Sequence, residues 1–100
     1  MTDAELTALV LPEGLEHVRT TPAFTAESVP SGLRRAHQVA AGVWGVLVVD
    51  QGHVTFVVEA TGATRRLEAG ERQVIRPEVE HHVEPGSDAR FHLEFHRDPR

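Results

Sequence analysis

Glycine and proline residues interrupt this 100-residue chain at short intervals from Pro12 onward. Successive breaks lie roughly 8 to 12 residues apart, and the runs between them are apolar or alternate between apolar and polar residues. A pattern of this kind is typical of an all-β sandwich or barrel. The breaks stand at Gly14, Pro22, Pro30, Gly32, Gly42, Gly52, Gly62, Gly70, Pro77 and Gly86.

Eight short strands are predicted between these breaks, a number that suits a double-sheet jelly roll. The segment 43–49 is apolar on both faces, which predicts a central, buried strand. Within it, Trp44 is expected to reach either the core or a partner chain. The strands are predicted at residues 15–20, 33–39, 43–50, 53–59, 64–68, 72–76, 80–84 and 89–97.

The length of the chain allows about one small domain. Residues 1–12 are expected to form an N-terminal arm or a short helix, since Thr2 stands three residues before Glu5 as in a capping box. Residues 13–100 form the predicted single domain. The longest apolar stretch, 40–49, is shorter than the roughly 20 residues that cross a bilayer, and no signal-peptide pattern opens the chain. A cytoplasmic location without membrane contact is therefore expected.

The composition excludes several chemistries. Cysteine and lysine are absent, so thiol nucleophiles, disulfides, thiolate metal sites and lysine Schiff bases are impossible. None of the three serines stands in a G-x-S-x-G setting, and covalent hydrolysis is not expected. A net charge of -5 with dispersed arginines argues against nucleic-acid binding. The seven histidines are the residues left to carry chemistry.

The segment from Gly70 to His82 resembles the second motif of the cupin family, in which a histidine projects into the barrel as a metal ligand. Gly70, Pro77 and His82 match the motif, although six residues instead of five separate the first two. Val79 stands where that family has glycine, and Gly86 stands where it has asparagine. The first cupin motif is weaker.

In that first motif, Gly52 can serve as the closing glycine, but Gly45 then occupies the position of the glutamate. The nearby histidine is His37.

A set of short motifs across residues 17–97 is similar to a narrower family, the tellurite-resistance-associated small cupins. Members of this family are known as stand-alone chains and as the N-terminal domain of the methyltransferase TehB. The resemblance implies a cupin-like double-stranded β-helix, and it does not extend to methyl transfer because no methyltransferase domain is present. The matching residues are Thr21-Pro22-Ala23-Phe24, Val29-Pro30, Gly32-Leu33, His37, Gly42-Val43-Trp44-Gly45, Gly52, Pro77, His82-Val83-Glu84-Pro85, Phe91 and Glu94-Phe95.

The same resemblance implies that His37, His82 and Glu94 bind a divalent metal ion, with Zn, Fe, Ni and Mn all open. Two imidazoles and one carboxylate are donors suited to Zn²⁺ or to a non-haem Fe(II) triad, and they leave coordination positions free. Glu94 lies on an alternating segment between His92 and His96. One of these histidines, with His92 preferred, is a candidate for a further ligand or for a partner that holds the carboxylate.

Plainer interpretations of the same residues stay open. The face that carries His92 and Glu94 is also consistent with the solvent-exposed side of an amphipathic strand. His37 is also consistent with a solvated side chain. His81 and His82 are adjacent and point to opposite faces, so only one of them can be a ligand in a regular strand. We expect His82 to face a polar pocket, while the face with His81 and Val83 packs outside the barrel.

The leading hypothesis is a cupin-like protein that binds a divalent metal ion in the barrel and captures a small anion or metabolite. A metal-dependent enzyme is the second hypothesis, an Fe(II) dioxygenase or an isomerase with His92 as proton carrier. A metal-free dimerisation or interaction module is the third. A homodimer is also expected, because these apolar strand residues offer more surface than a small barrel readily buries: Trp44, Val79, Val83, Phe91, Leu93 and Phe95.

Overall fold

The computed structural model describes residues 3–35 and 38–100. Within these residues a short helix comes first, and the later elements are strands, with a 3-10 helix between the second and third of them. The elements are α1 (Asp3–Ala8), β1 (Glu16–Thr20), β2 (Phe24–Thr25), the 3-10 helix (Ser31–Arg34), β3 (Val43–Gln51), β4 (His53–Val58), β5 (Thr64–Glu68), β6 (Arg72–Ile75), β7 (His81–Pro85) and β8 (Arg90–Arg97).

The strands form two antiparallel sheets. The large sheet has the order β1-β8-β3-β6, and β2 pairs with β8 beyond the end of β1. The small sheet has the order β5-β4-β7. This arrangement confirms the predicted all-β, cupin-like jelly roll, and β3 is the central strand that its apolar sequence predicts, because it lies between β8 and β6.

The core lies between the two sheets, and we call the faces that line it the inner faces. Strand alternation sends every second side chain inward, as the burial of Val54, Phe56 and Val58 on β4 shows. Helix α1 adds Leu6, whose carbonyl oxygen accepts a hydrogen bond from the buried Gln73 side chain at 3.0 Å. The buried core residues are Leu6, Val29, Leu33, Val39, Leu47, Val49, Val54, Phe56, Val58, Leu67, Ile75, Val83, Ala89, Phe91 and Leu93.

Residues 33–35 and 38–39, the described part of the predicted strand 33–39, do not form a strand in the structure. The first two of them belong to the 3-10 helix Ser31–Arg34, which follows Pro30. The fixed φ angle of proline favours the first turn of a helix, and the Leu33 amide donates to the Pro30 carbonyl at 2.9 Å. Leu33 is buried by this turn instead of by strand pairing. The two-residue strand β2 was not predicted.

The apolar residues that suggested a second subunit lie mostly inside this chain. Val83, Phe91 and Leu93 are buried between the sheets, and Phe95 packs against the same core. Val83, Phe91 and Leu93 therefore supply little surface for a partner, and the homodimer stays a prediction without their support. Within the described residues, no helix combines the length and apolar character that a bilayer crossing requires.

Candidate functional site

A cavity of about 520 Å³ lies against the inner face of the large sheet. Five strands on one side face three on the other, so the small sheet leaves part of this inner face uncovered. The 3-10 helix and residues 38–40 complete the wall there. Most of the wall is apolar, with Phe24, Leu33, Val39, Val43, Leu93 and Phe95 among its side chains.

An irregularity in β1 directs a cationic side chain to this cavity. His17 pairs with His96 of β8, whereas Arg19 pairs with Phe95, so Val18 is an extra residue in the ladder. In a regular strand, residues 17 and 19 would share a face, but a β-bulge re-aims the side chain that follows it. Arg19 therefore joins Phe95 on the inner face, with its guanidinium carbon 5.2 Å from the ring centroid.

Arg97 lies beside the same cavity. It follows Phe95 by two residues on β8 and pairs with Val43 of β3, which places it on the inner face. Within residues 3–35 and 38–100, the arginines that form ion pairs are Arg65, Arg66, Arg72 and Arg100. Neither Arg19 nor Arg97 is among them, and the described lining of the cavity includes no acidic residue.

The predicted metal ligand His82 lies on the outer face of the small sheet. Its Nδ1 atom contacts a carboxylate oxygen of Glu59, and its Nε2 atom lies 2.8 Å from Oε2 of Glu84. These hydrogen bonds, that to Glu59 first, raise the pKa of His82 above its ordinary value of 6.5. Both ring nitrogens are occupied by carboxylates of this chain. The predicted ligand His37 lies outside the described residues.

The neighbouring His81 faces inward, which corrects the expected orientation of the pair. His81 is 2% exposed, and its ring centroid lies 5.2 Å from that of Phe56. Its Nδ1 atom is 2.9 Å from the carbonyl oxygen of Val79. The physical reason is the burial of Val83, which shares this face and packs in the core.

Glu94 and His92 lie on the outer face of the large sheet. A carboxylate oxygen of Glu94 accepts a hydrogen bond from Arg72 at 2.8 Å. His92 Nδ1 lies 2.7 Å from Oδ2 of Asp50, and its Nε2 atom is 3.8 Å from Glu94 Oε2. On the other side, the buried Nε2 atom of His96 is 3.5 Å from Glu94 Oε1.

The structure does not bring His82 and Glu94 together. They lie on the outer faces of different sheets, with the apolar core between them. In the described part of the chain, no three histidine, aspartate or glutamate side chains are arranged to hold a metal ion. His82 and Glu94 therefore do not share a metal site in the described part of the chain, and the divalent metal ion stays a prediction.

Neither arginine of the cavity was predicted from the sequence. Alternation along β8 places Arg97 on the same face as Phe91, Leu93 and Phe95, so the sequence pattern could have identified it as a residue of the inner face. Arg19 carried no such signal, because a bulge at Val18 reverses the simple parity of β1.

The two sheets and their apolar interior define a small protein of the cupin fold. A cupin protein from Bacteroides fragilis is one similar structure, with a TM-score of 0.52 and 16% identity over 85% of this chain and 63% of that one. The TehB-like domain family matches residues 19–93, and the chain belongs to this family.

Two further crystal structures are more similar. A protein from Escherichia coli K12 has a TM-score of 0.85 and 27% identity, covering 92% of this chain and 99% of that one. TehB from Haemophilus influenzae has a TM-score of 0.76 and 22% identity over 86% of this chain, but the match spans 32% of TehB. Among curated protein sequences, none matches this chain significantly.

Proposed function

We propose that this protein binds a small metabolite in the cavity on the inner face of the large sheet. The observation that carries the proposal is the cavity itself, about 520 Å³ in volume, with a mostly apolar wall and a few polar groups. Ligand sites in proteins are typically concave, apolar and about 300 to 1,000 Å³ in volume, with a small number of placed polar groups. The cavity has these properties.

The apolar side chains around the cavity give binding its driving force. Phe24, Val43 and Phe95 are only half-buried, and Val18 is 46% exposed. A ligand that covers them removes apolar surface from water, which contributes roughly 2.5 kcal/mol for each 100 Å². The proposal is one of binding, because no histidine, aspartate or glutamate lines the described wall of the cavity.

The divalent metal ion remains a separate prediction, since binding in this cavity does not require it. Elemental analysis of protein purified without an affinity tag tests it. A full equivalent of metal that His37→Ala removes would support a site that includes His37. Protein that holds no metal and takes up none of Zn, Fe, Ni or Mn on reconstitution would contradict the prediction.

The test of the proposed function blocks the cavity at Gly32. Gly32 lines the cavity, and a Cβ atom added there has no heavy atom within 4 Å, so a tryptophan side chain has room at the cavity wall. The probe is neutral 4-phenylbutyramide, followed by amide chemical shifts in NMR spectra. We expect saturable shifts at Leu93 and Phe95 in the natural protein, and their loss in Gly32→Trp.

Two further variants control this experiment. Gly32→Ala adds little volume and is expected to bind the amide as the natural protein does. Ala40→Trp places a tryptophan on the segment 38–40, which also lines the cavity. It is expected to behave as Gly32→Trp does. Shifts that persist in both tryptophan variants would refute the proposal. The absence of saturable shifts at the cavity in the natural protein, with both this amide and the corresponding carboxylate, would also refute it.

A further inference from the structure

We infer that the natural ligand is an amphipathic anion, with one carboxylate or sulfonate group between Arg19 and Arg97 and an apolar body inside the cavity. This inference rests on the proposed function and names the chemical class of the ligand. The structure supports it through the placement of the two arginines, their lack of acidic partners and the shape of the apolar wall.

The two arginines flank one aromatic ring on the inner face of the large sheet. Phe95 has Arg19 opposite it on β1, and Arg97 lies two residues further along β8. The bulge at Val18 is what gives Arg19 this position, since regular alternation would send it to the outer face with His17. Both arginines thus line the cavity from neighbouring strands, β1 and β8.

The charge of the cavity contrasts with that of the chain. The chain has 15 acidic residues and a net charge of -5, yet the described lining contains two arginines and no acidic residue. Glu16 is the register partner of Arg97, but no ion pair joins them in the described structure. The guanidinium groups therefore remain available, and their fork of N–H donors matches the geometry of a carboxylate.

Ion pairing with the anionic group supplies only part of the binding free energy of such a ligand. Both arginines are exposed, and an exposed ion pair is typically worth only about 0.2 to 1 kcal/mol. The apolar wall supplies the rest, and it includes Phe24, whose ring packs against Phe91 with centroids 5.9 Å apart. A ligand that uses both features has a negative end and an aromatic or branched apolar body.

Three probes separate these contributions: 4-phenylbutyrate, its neutral amide and acetate. By NMR titration of the whole protein, we expect the carboxylate to bind roughly tenfold more tightly than the amide at low salt. Acetate is expected to bind far more weakly than either. Added sodium chloride should reduce the preference for the carboxylate, because salt screens exposed charges.

Arg19→Gln and Arg97→Gln are each expected to reduce the preference for the carboxylate severalfold and to leave the affinity for the amide unchanged. The matched control is Arg90→Gln, since Arg90 is exposed on the same strand as Arg97 but lies outside the cavity. It should leave both affinities unchanged.

Each opposing result has a distinct meaning. Equal binding of carboxylate and amide to the natural protein would overturn the anion inference and leave the proposed function standing. Acetate that binds as tightly as 4-phenylbutyrate would overturn the amphipathic class. Equal weakening of both phenyl probes in the two cavity arginine variants would also overturn the inference. Failure of both phenyl probes to shift the cavity amides would overturn the proposed function as well.

Discussion

The two faces of β8 differ in what their side chains have for partners. On the inner face, Phe91 and Leu93 are buried in the core, and the face continues into the cavity at Phe95. On the outer face, His92 and Glu94 are held by Asp50 and Arg72. Polar groups that already pair with each other have less capacity left for a ligand, so histidines and carboxylates do not by themselves mark the site.

The adjacent histidines of β7 repeat this comparison. His81 is enclosed by the core beside Phe56, and His82 on the outer face lies between the carboxylates of Glu59 and Glu84. In both strands the side chains of the inner face pack in the core, and those of the outer face form local ion pairs. The partners that a side chain already has, and not its residue type alone, separate structural from ligand-accessible positions.

The largest expected effect comes from removing a side chain of the inner face. Phe91→Ala should lower the free energy of unfolding by about 3 to 5 kcal/mol, because Phe91 is fully buried and leaves a cavity behind. His92→Ala, one residue away on the outer face, should cost about 1 kcal/mol or less. Denaturant unfolding of both variants measures the difference. Similar losses would break the comparison between the faces.

Much of the inner face could be predicted from the sequence. The apolar run of β3 identified the central strand, and alternation along β8 identified its apolar stripe. Parity alone also grouped His81 with Val83; the expected orientation was wrong because a polar interior was assumed from the resemblance. Burial of apolar surface outweighs that expectation, since leaving Val83 in water would cost more than enclosing one imidazole that has a carbonyl partner.

The site itself was harder to predict for two physical reasons. The bulge at Val18 reverses the parity of β1 and has no signature in the residues, so Arg19 was not identified. The cavity exists because one sheet has five strands and the other three, which is a property of the tertiary structure. Residues 33–39 were expected to be a strand, but the first two of them belong to the 3-10 helix Ser31–Arg34, which forms part of the cavity wall.

A smaller effect is expected for the ion pair on the outer face of the large sheet. Glu94→Gln should lower the free energy of unfolding by about 0.2 to 1 kcal/mol, because the side chain of Arg72 is 55% exposed and solvent screens the pair. A double-mutant cycle with Arg72→Gln measures the coupling energy. A coupling several times larger than this range would mean that Glu94 has a role beyond this local contact.

The smallest expected effect is the pH dependence that His82 contributes. Its pKa in the folded protein is raised by Glu59 and Glu84, so the stabilisation is fully present below the ordinary pKa of 6.5 and is lost as pH rises through the folded pKa. NMR titration should show that Glu59→Gln lowers the pKa of His82 more than Glu84→Gln does. The reverse order would show that the contact with Glu84 dominates instead.

The most direct test of the central claim is a crystal structure with 4-(4-bromophenyl)butyrate, in which anomalous scattering locates the bromine atom. We expect a bromine peak among Phe24, Leu33 and Leu93, with the carboxylate beside Arg19 and Arg97. A peak on the outer faces near His82 or Glu94, or no peak at saturating probe, would contradict it.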